Sequence, residues 1–224
     1  MVSIKSSSHI TLMFKDRVDA GQQLAATLRN YNLKDPIIYT IPRGGVVCAY
    51  EIARKLKAPL SLIITRKIGH PDNPEYAIGA VAEDGCIELT AEGRAVDQTW
   101  LQHKIEAERR EAERRQKAYL AGKPPLSATG KTAVIVDDGL ATGLTMLVAI
   151  KEVRHMNPER IVVAVPVAAV DTVHRLSKDV DEIIALQTPP DFYSIGAHYE
   201  SFLQVSDEEV VAIIKKANKK GGEK

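Results

Sequence analysis

Residues 134–145 read VIVDDGLATGLT. Val134, Ile135 and Val136 form an apolar run of the kind that ends a strand buried on both faces. Asp137 and Asp138 stand where such a strand would leave its sheet. Gly139 follows, then a short loop through Ala141, Thr142 and Gly143, with Leu144 and Thr145 at the head of a helical pattern. In an open α/β sheet, ligands bind beyond the carboxyl ends of the strands. A loop that opens a helix there offers unpaired backbone N–H groups and the positive end of the helix dipole to an anion. Gly139 and Gly143 let the backbone bend and approach a phosphate closely, and the Thr142 and Thr145 hydroxyls can add hydrogen bonds. Two carboxylates beside a phosphate cradle would repel the anion unless they do something else. Gripping sugar hydroxyls and holding Mg2+ are the tasks their oxygens suit. The plainer alternative is an acidic pair that only caps a helix, which needs a single short polar residue rather than this whole string. The stretch is neither a Walker A loop nor a dinucleotide fingerprint, since G-K-[ST] and G-x-G-x-x-G are both missing.

The rest of the chain supplies the sheet into which this stretch fits. From Asp16 a helix is expected to about Asn30, with Val18, Leu24, Ala25 and Leu28 at helical spacing and Asp16 as its cap. His9 to Phe14 reads as a strand or a packed arm. Residues 36–41 form the first buried strand, followed by Pro42-Arg43-Gly44-Gly45 and a helix from Val46 to about Leu56. This second strand–loop–helix junction can also hold an anion. Its paired glycines permit backbone geometries closed to other residues, and the alternative is a loop built for tight packing with Arg43 in water. Leu60 to Thr65 is the next strand. The middle of residues 66–81, with two prolines, a glycine and polar residues, then reads as a long loop, and long loops in compact domains are usually lids or binding loops. Ile78–Val81 and Cys86–Leu89 can pair as a hairpin.

Residues 91–126 read as a helical insertion in one domain spanning 1–224. Its long helix, from Trp100 to Leu120, has a broad charged face. That face is most simply solvated, with contact to RNA or a phosphate as the sharper alternative. Strands then alternate with helices at 160–166, to about Ser177, and at 182–186, so the fold class is α/β with a doubly wound, mostly parallel sheet. Residues 187–205 break the rhythm with Pro189-Pro190 and gather Phe192, Tyr193, Tyr199 and Phe202 in a chain otherwise poor in aromatics. Ser206 to Glu209 caps a last helix.

Composition sets outer bounds. The chain has 224 residues and a formal charge of +1, without the basic excess of a dedicated nucleic-acid binder. Cys48 and Cys86 are too few for a disulfide scaffold, lack metal-ligand spacing, and read as small core residues. No apolar run reaches membrane-spanning length and the start lacks a signal-peptide pattern, so a cytoplasmic protein is expected.

The run from Asp137 to Thr145 resembles the phosphoribosyl-diphosphate (PRPP) signature of the type I phosphoribosyltransferases: apolar residues, an acidic pair, two variable residues, then A/T-T-G-x-T. The resemblance extends over about residues 36–205. It is nearest to family members of unassigned substrate, which share Pro-Arg-Gly-Gly, Arg-Lys-x-Gly and Gly-Ala-Val-Ala-Glu-Asp-Gly, here at Pro42–Gly45, Arg66–Gly69 and Gly79–Gly85. The resemblance implies a transferase that displaces pyrophosphate from PRPP with a nucleobase-like nitrogen. Asp137 and Asp138 would hold the ribose hydroxyls and Mg2+. Ala141, Thr142, Gly143, Leu144 and Thr145 would hold the 5′-phosphate, with Gly139 also in the PRPP site. Arg43 and Gly44, at a position that often has an unusual cis peptide, and Lys67 at the stem of a mobile lid would bind pyrophosphate, with Gly45 and Arg66 also in the PRPP site. A C-terminal hood over 187–205 would set Phe192, Tyr193, Ile195 and Tyr199 against the base, the alternative for these rings being a small satellite core. Enzymes for 6-oxopurines usually carry an aspartate at the position of Ala141, so hypoxanthine and guanine are disfavoured. A homodimer is a family expectation. The other function open at this point is a PRPP-binding regulator that contacts nucleic acid or a protein partner.

Overall fold

Short apolar runs buried on both faces build the main sheet. In the computed structural model, which describes residues 13–219, five parallel strands lie in the order β2-β1-β6-β7-β8. They are β1 (Ile37–Thr40), β2 (Leu60–Leu62), β6 (Thr132–Val136), β7 (Arg160–Val167) and β8 (Glu182–Gln187). Successive side chains of a strand point to opposite faces. Ile38, Val134, Val136, Val162 and Ile184 therefore enter one core, and Ile37, Tyr39, Ile135, Val163 and Ile183 enter the other. Helices α1 (Arg17–Leu28), α2 (Gly45–Leu56) and α7 (Asp207–Lys219) cover the first face; α5 (Leu144–His155) and α6 (Val170–Leu176) cover the second. This is the doubly wound α/β architecture expected from the strand–helix alternation.

The local signals behave as the sequence suggests at most element ends. Asp16 caps α1, its Oδ1 accepting from the Asp19 N–H at 2.8 Å. Ser206 and Glu209 form a reciprocal capping box at α7: the Glu209 N–H donates to Ser206 Oγ at 3.2 Å and the Ser206 N–H to Glu209 Oε2 at 2.7 Å. Of the arm expected over His9–Phe14, only Phe14 and its neighbour Met13 fall within the described residues; Phe14 is buried and pairs with Tyr199.

The segment after β2 differs from its sequence reading. The strand expected over Leu60–Thr65 stops at Leu62, and a new one starts at Thr65. Residues 66–81 are not a long loop. They form an antiparallel ribbon of β3 (Thr65–His70) and β4 (Asn73–Ala82), turned by Pro71 and Asp72. The breakers are accommodated locally: Pro74 lies near the exposed start of β4, and the register shifts on either side of Gly69, where a Cβ would fall 2.2 Å from the Pro74 carbonyl oxygen. β5 (Ile87–Leu89) extends the ribbon to three strands, as the hairpin reading anticipated.

This small sheet is clamped between two helices. Arg66, Ile68 and Val81 lie on the face toward α4 (Gln98–Leu120), where Ile68, Ile78 and Val81 pack on Leu101. The short α3 (Ala91–Ala95) leads into α4 and is capped by Thr90. On the opposite face Ala80 and Ala82 pack on Val148 of α5. Helix α5 is thus shared, with Met146, Ile150 and Val153 facing the main sheet and Val148 facing the small one.

Glu152 lies on this shared helix and is only 4% exposed. Burial, with Asp84 and Glu83 adding like charge, pushes its carboxyl up to about 9. A carboxyl that binds its proton more tightly when folded contributes stability at low pH, and that contribution is lost as pH rises from the ordinary carboxyl range toward 9. Glu152→Gln mimics the protonated form. We expect it to melt above the wild type at pH 8, by more than about 1 kcal/mol, with the gap closing at pH 5. Parallel melting curves at both pH values would contradict this assignment.

Candidate active site

The chain leaves β1 toward β2 on one side, and leaves β6 toward β7 on the other, while β1 and β6 are neighbours with Thr40 opposite Val136. Their carboxyl ends therefore form the switch point of the sheet, where an open α/β fold leaves a crevice. The Pro42–Gly45 loop leaves one strand there, and Asp137-Asp138 leaves the other.

The two loops touch, and the contact explains the glycines. A Cβ on Gly44 would fall 2.0 Å from Asp138 Oδ2. One on Gly45 would fall 2.7 Å from Asp137 Oδ1 and 2.8 Å from Thr40 Oγ1. Gly44 itself has ordinary helical backbone angles, φ −58° and ψ −40°. The pair is needed for space, not for unusual dihedrals as the sequence alone suggests. A cis peptide joins Pro42 to Arg43, one bond before the position expected from the resemblance.

Asp138 is held from three directions. Arg17, the first residue of α1, places Nε 2.6 Å from Asp138 Oδ2, with both side chains 11% exposed. The same guanidinium donates to the Leu203 carbonyl at 2.6 Å and lies 3.7 Å from the centre of the Phe202 ring. The Tyr199 hydroxyl donates to the Asp138 carbonyl at 2.6 Å, and the Asp138 N–H donates to Asp137 Oδ1 at 2.8 Å. Burial and the adjacent Asp138 charge drive the Asp137 carboxyl well above the usual range. Burial also raises Asp138, opposed by Arg17. A cation that binds this pair must displace protons held there.

The phosphate-cradle candidate forms the entry to α5. Gly143 adopts φ +69°, a left-handed conformation, and α5 starts at the next residue. Thr172 and Arg175 on α6 donate to the Ala141 and Thr142 carbonyls. The Leu140 N–H donates to Val167 O at 2.8 Å. These bonds fix the loop, and the first N–H groups of α5 have no acceptor within their helix. Thr142 is exposed and Thr145 half-buried. Leu144 packs its side chain toward Ala80 and Ala82, so only its backbone can face a ligand.

The basic candidates are placed less centrally. The Arg43 guanidinium lies 3.5 Å from Asp207, a partly exposed pair of little energetic weight. Lys67 Nζ is bonded to the Glu75 carbonyl and carboxylate at 3.0 and 3.2 Å. Its register partner is Ala80, so it stands on the ribbon face turned to α5. Arg66 occupies the other face and gives its Nε to Glu108 of α4 at 2.9 Å. Their alternation along β3 separates two residues that are neighbours in sequence.

In the hood segment the aromatics divide. Ile195 lies against Gly139, and Phe192 stacks on the buried His198 with ring centres 5.5 Å apart. Tyr193 is 91% exposed. Tyr199 does not offer the open face expected of a base platform. It is 4% exposed, wedged between Phe14 and Phe202, and serves the acidic loop through its hydroxyl. Sequence reasoning missed Arg17, Arg175 and His198. An arginine next to a helix cap carries no local motif, and only the fold joins Arg17 to Asp138.

Known proteins resemble this chain over most of its length. A family model described as "Phosphoribosyl transferase domain" matches residues 13–201. Two Mycobacterium tuberculosis proteins, each named "Putative phosphoribosyl transferase", from strains CDC 1551 / Oshkosh and ATCC 25618 / H37Rv, are 39% identical over 210 residues. That alignment takes in 92% of this chain but 47% of theirs, so the chain spans about half the length of these relatives. The crystal structure of TT1426 from Thermus thermophilus is 41% identical, covers 91% of this chain and 98% of its own, and superposes with a TM-score of 0.77. No described helix is long and apolar enough to cross a membrane. The chain belongs to the phosphoribosyl transferase domain family.

Proposed function

We propose that this chain catalyses Mg2+-dependent transfer of the phosphoribosyl group of PRPP to a ring nitrogen of a nucleobase-like acceptor, releasing pyrophosphate. The observation that supports this most is the abutment of the acidic pair on Gly44 and Gly45, beside the helix-opening Gly139–Thr145 loop. One crevice then has places for a phosphate, a ribose and a leaving pyrophosphate.

In this reading the C1–O bond breaks with its electron pair leaving on pyrophosphate, and an acceptor nitrogen bonds to C1. Asp137 and Asp138 receive the ribose hydroxyls. The backbone of 141–145 receives the 5′-phosphate, and the Gly44–Gly45 backbone with Arg43 receives the pyrophosphate. Lys67 reaches the same place by giving up Glu75. Catalysis is positional and electrostatic, without a covalent nucleophile. The residues fit a hard cation: Asp137 and Asp138 offer only oxygens, and the Thr40 hydroxyl next to Gly45 is buried without a hydrogen-bond partner among the described residues. Mg2+, when bound, would neutralise charge on the pyrophosphate. With Ala141 in place of an aspartate, acceptors other than hypoxanthine and guanine are favoured, and Phe192 on His198 is the candidate wall for their rings. Tyr199 takes no part in stacking.

The regulatory reading, in which α4 binds nucleic acid, draws little support. Arg114 and Arg115 both pair with Glu111, and Arg109 pairs with Glu113. Three of the four arginines on this face are thus engaged by carboxylates of the protein itself.

Two measurements test the proposal. Pyrophosphate release from Mg-PRPP with a mixture of purine and pyrimidine bases is expected to require a base. It should fall at least about a hundredfold in Asp138→Asn, a loss typical of an electrostatic group acting at the reacting centre. Equal turnover in that variant would put the site elsewhere. The raised carboxyls also give a pH signature. A cation must displace their protons, so Mg-PRPP should bind more tightly as pH rises from 5 toward 8, by up to about tenfold per unit where one proton is released. Asp137→Asn should flatten that slope, and an unchanged slope in calorimetry at two pH values would rule out the pair as the cation ligand.

A further inference from the structure

A second cluster of ligand-type side chains lies at the far end of α5, away from the acidic pair. The β4–β5 turn carries Asp84 and Cys86 on either side of Gly85, whose φ of +93° makes the tight turn possible. Across from it stands His155, the last residue of α5. Cys86 Sγ is 3.7 Å from His155 Nδ1, and His155 Nδ1 is 3.5 Å from Asp84 Oδ2. All three ligand atoms lie within 4.8 Å of one another. Four-coordinate zinc with bonds of about 2.0–2.3 Å separates its ligand atoms by about 3.3–3.7 Å. Two of the contacts already match that edge.

The surroundings favour a cation. One helical turn before His155, on the same face of α5, stands Glu152, 4% exposed, with Oε2 lacking any hydrogen-bond partner among the described residues. The nearby cations are already engaged: Lys151 with Glu88, and Arg109 with the Glu83 carbonyl and Glu113. Cys86 is half-buried and reachable, unlike the fully buried Cys48. The sequence reading took both cysteines as core residues without metal spacing; the third ligand is 69 residues from Cys86 and comes from another element.

We propose that Asp84, Cys86 and His155 form a binding site for a zinc-type divalent cation, with Glu152 behind them as the reserve oxygen ligand. A thiolate with an imidazole selects zinc or cobalt over Mg2+, so this site and the acidic pair take different metals. Bound metal would staple the small sheet to α5, the helix whose other end opens the Gly139–Thr145 loop.

The test uses the full chain, reduced and stripped of metal, with Co2+ and Zn2+ as probes. Co2+ should bind at one equivalent and give a sulfur-to-cobalt charge-transfer band that Zn2+ abolishes. Cys86→Ser should lose the band, and His155→Ala should weaken Zn2+ binding roughly tenfold or more. Both changes lie at exposed or half-exposed positions, and circular dichroism checks that the variants fold. Asp138→Asn should keep the band, which separates this site from the proposed transferase reaction. A wild type without the band at saturating Co2+, or a Cys86→Ser protein that retains it, overturns the proposal.

Discussion

Two carboxylates pressed against two glycines govern this structure. Gly44 and Asp138 come so close that a methyl group on the glycine would overlap a carboxylate oxygen. The contact makes one site from two loops that leave adjacent strands. It requires β1 and β6 to be neighbours, and the parallel register from Ile37 opposite Ala133 to Thr40 opposite Val136 delivers that. It also concentrates negative charge where burial opposes it, as the raised carboxyls of Asp137 and Asp138 record.

Arg17 is the answer to that charge on one side only. Its guanidinium meets Asp138 and not Asp137, and it is itself fixed by the Leu203 carbonyl and the Phe202 ring. Removing one partner from a buried pair of this kind costs about 3–5 kcal/mol, because the other charge is stranded. The pairing therefore links the start of α1 and the segment before α7 to the acidic loop. Tyr199 adds a second link from the same segment, through its hydroxyl and through Phe14. The C-terminal aromatics act first as a brace for the carboxylates. Ile195, which lies against Gly139, and Phe192, stacked on His198, are the residues of this segment set beside the acidic loop and its brace.

What could be read in the sequence follows from how local each signal is. The β6 run was legible because a parallel strand buried on both faces is apolar throughout, and the acidic pair and Gly143 follow it without interruption. The caps at Asp16 and Ser206 were legible because they act within three residues. The ribbon of β3 and β4 was not. Its prolines, glycines and polar residues are loop signals, and the structure absorbs them with a two-residue turn, a register shift at Gly69 and an exposed end to β4. The aromatic cluster was visible as composition, but the direction of each ring was not, so Tyr199 could not be told from Phe192. Arg17 and Asp138 are 121 residues apart, and no periodicity or motif connects them.

The shared helix α5 shows why distant features of this chain belong together. Its first turn shapes the phosphate loop through Gly143, and its middle is wedged between two sheets. Its last turns present Glu152 and His155 to the β4–β5 turn. A packed helix transmits a displacement along its axis, because neither sheet can yield without opening its core. Lys67 rides on the small sheet, on the face that packs against α5. The small sheet that carries Lys67 is thus held to the main one partly through this helix. Val148 and the half-buried Leu144 and Cys86 against Ala80 and Ala82 make a small apolar contact for that task. The Lys151–Glu88 ion pair and the Asp84–Cys86–His155 cluster lie on the same seam. The polar contacts at that seam therefore join the small sheet to the last turns of the same helix whose first turn opens the Gly139–Thr145 loop.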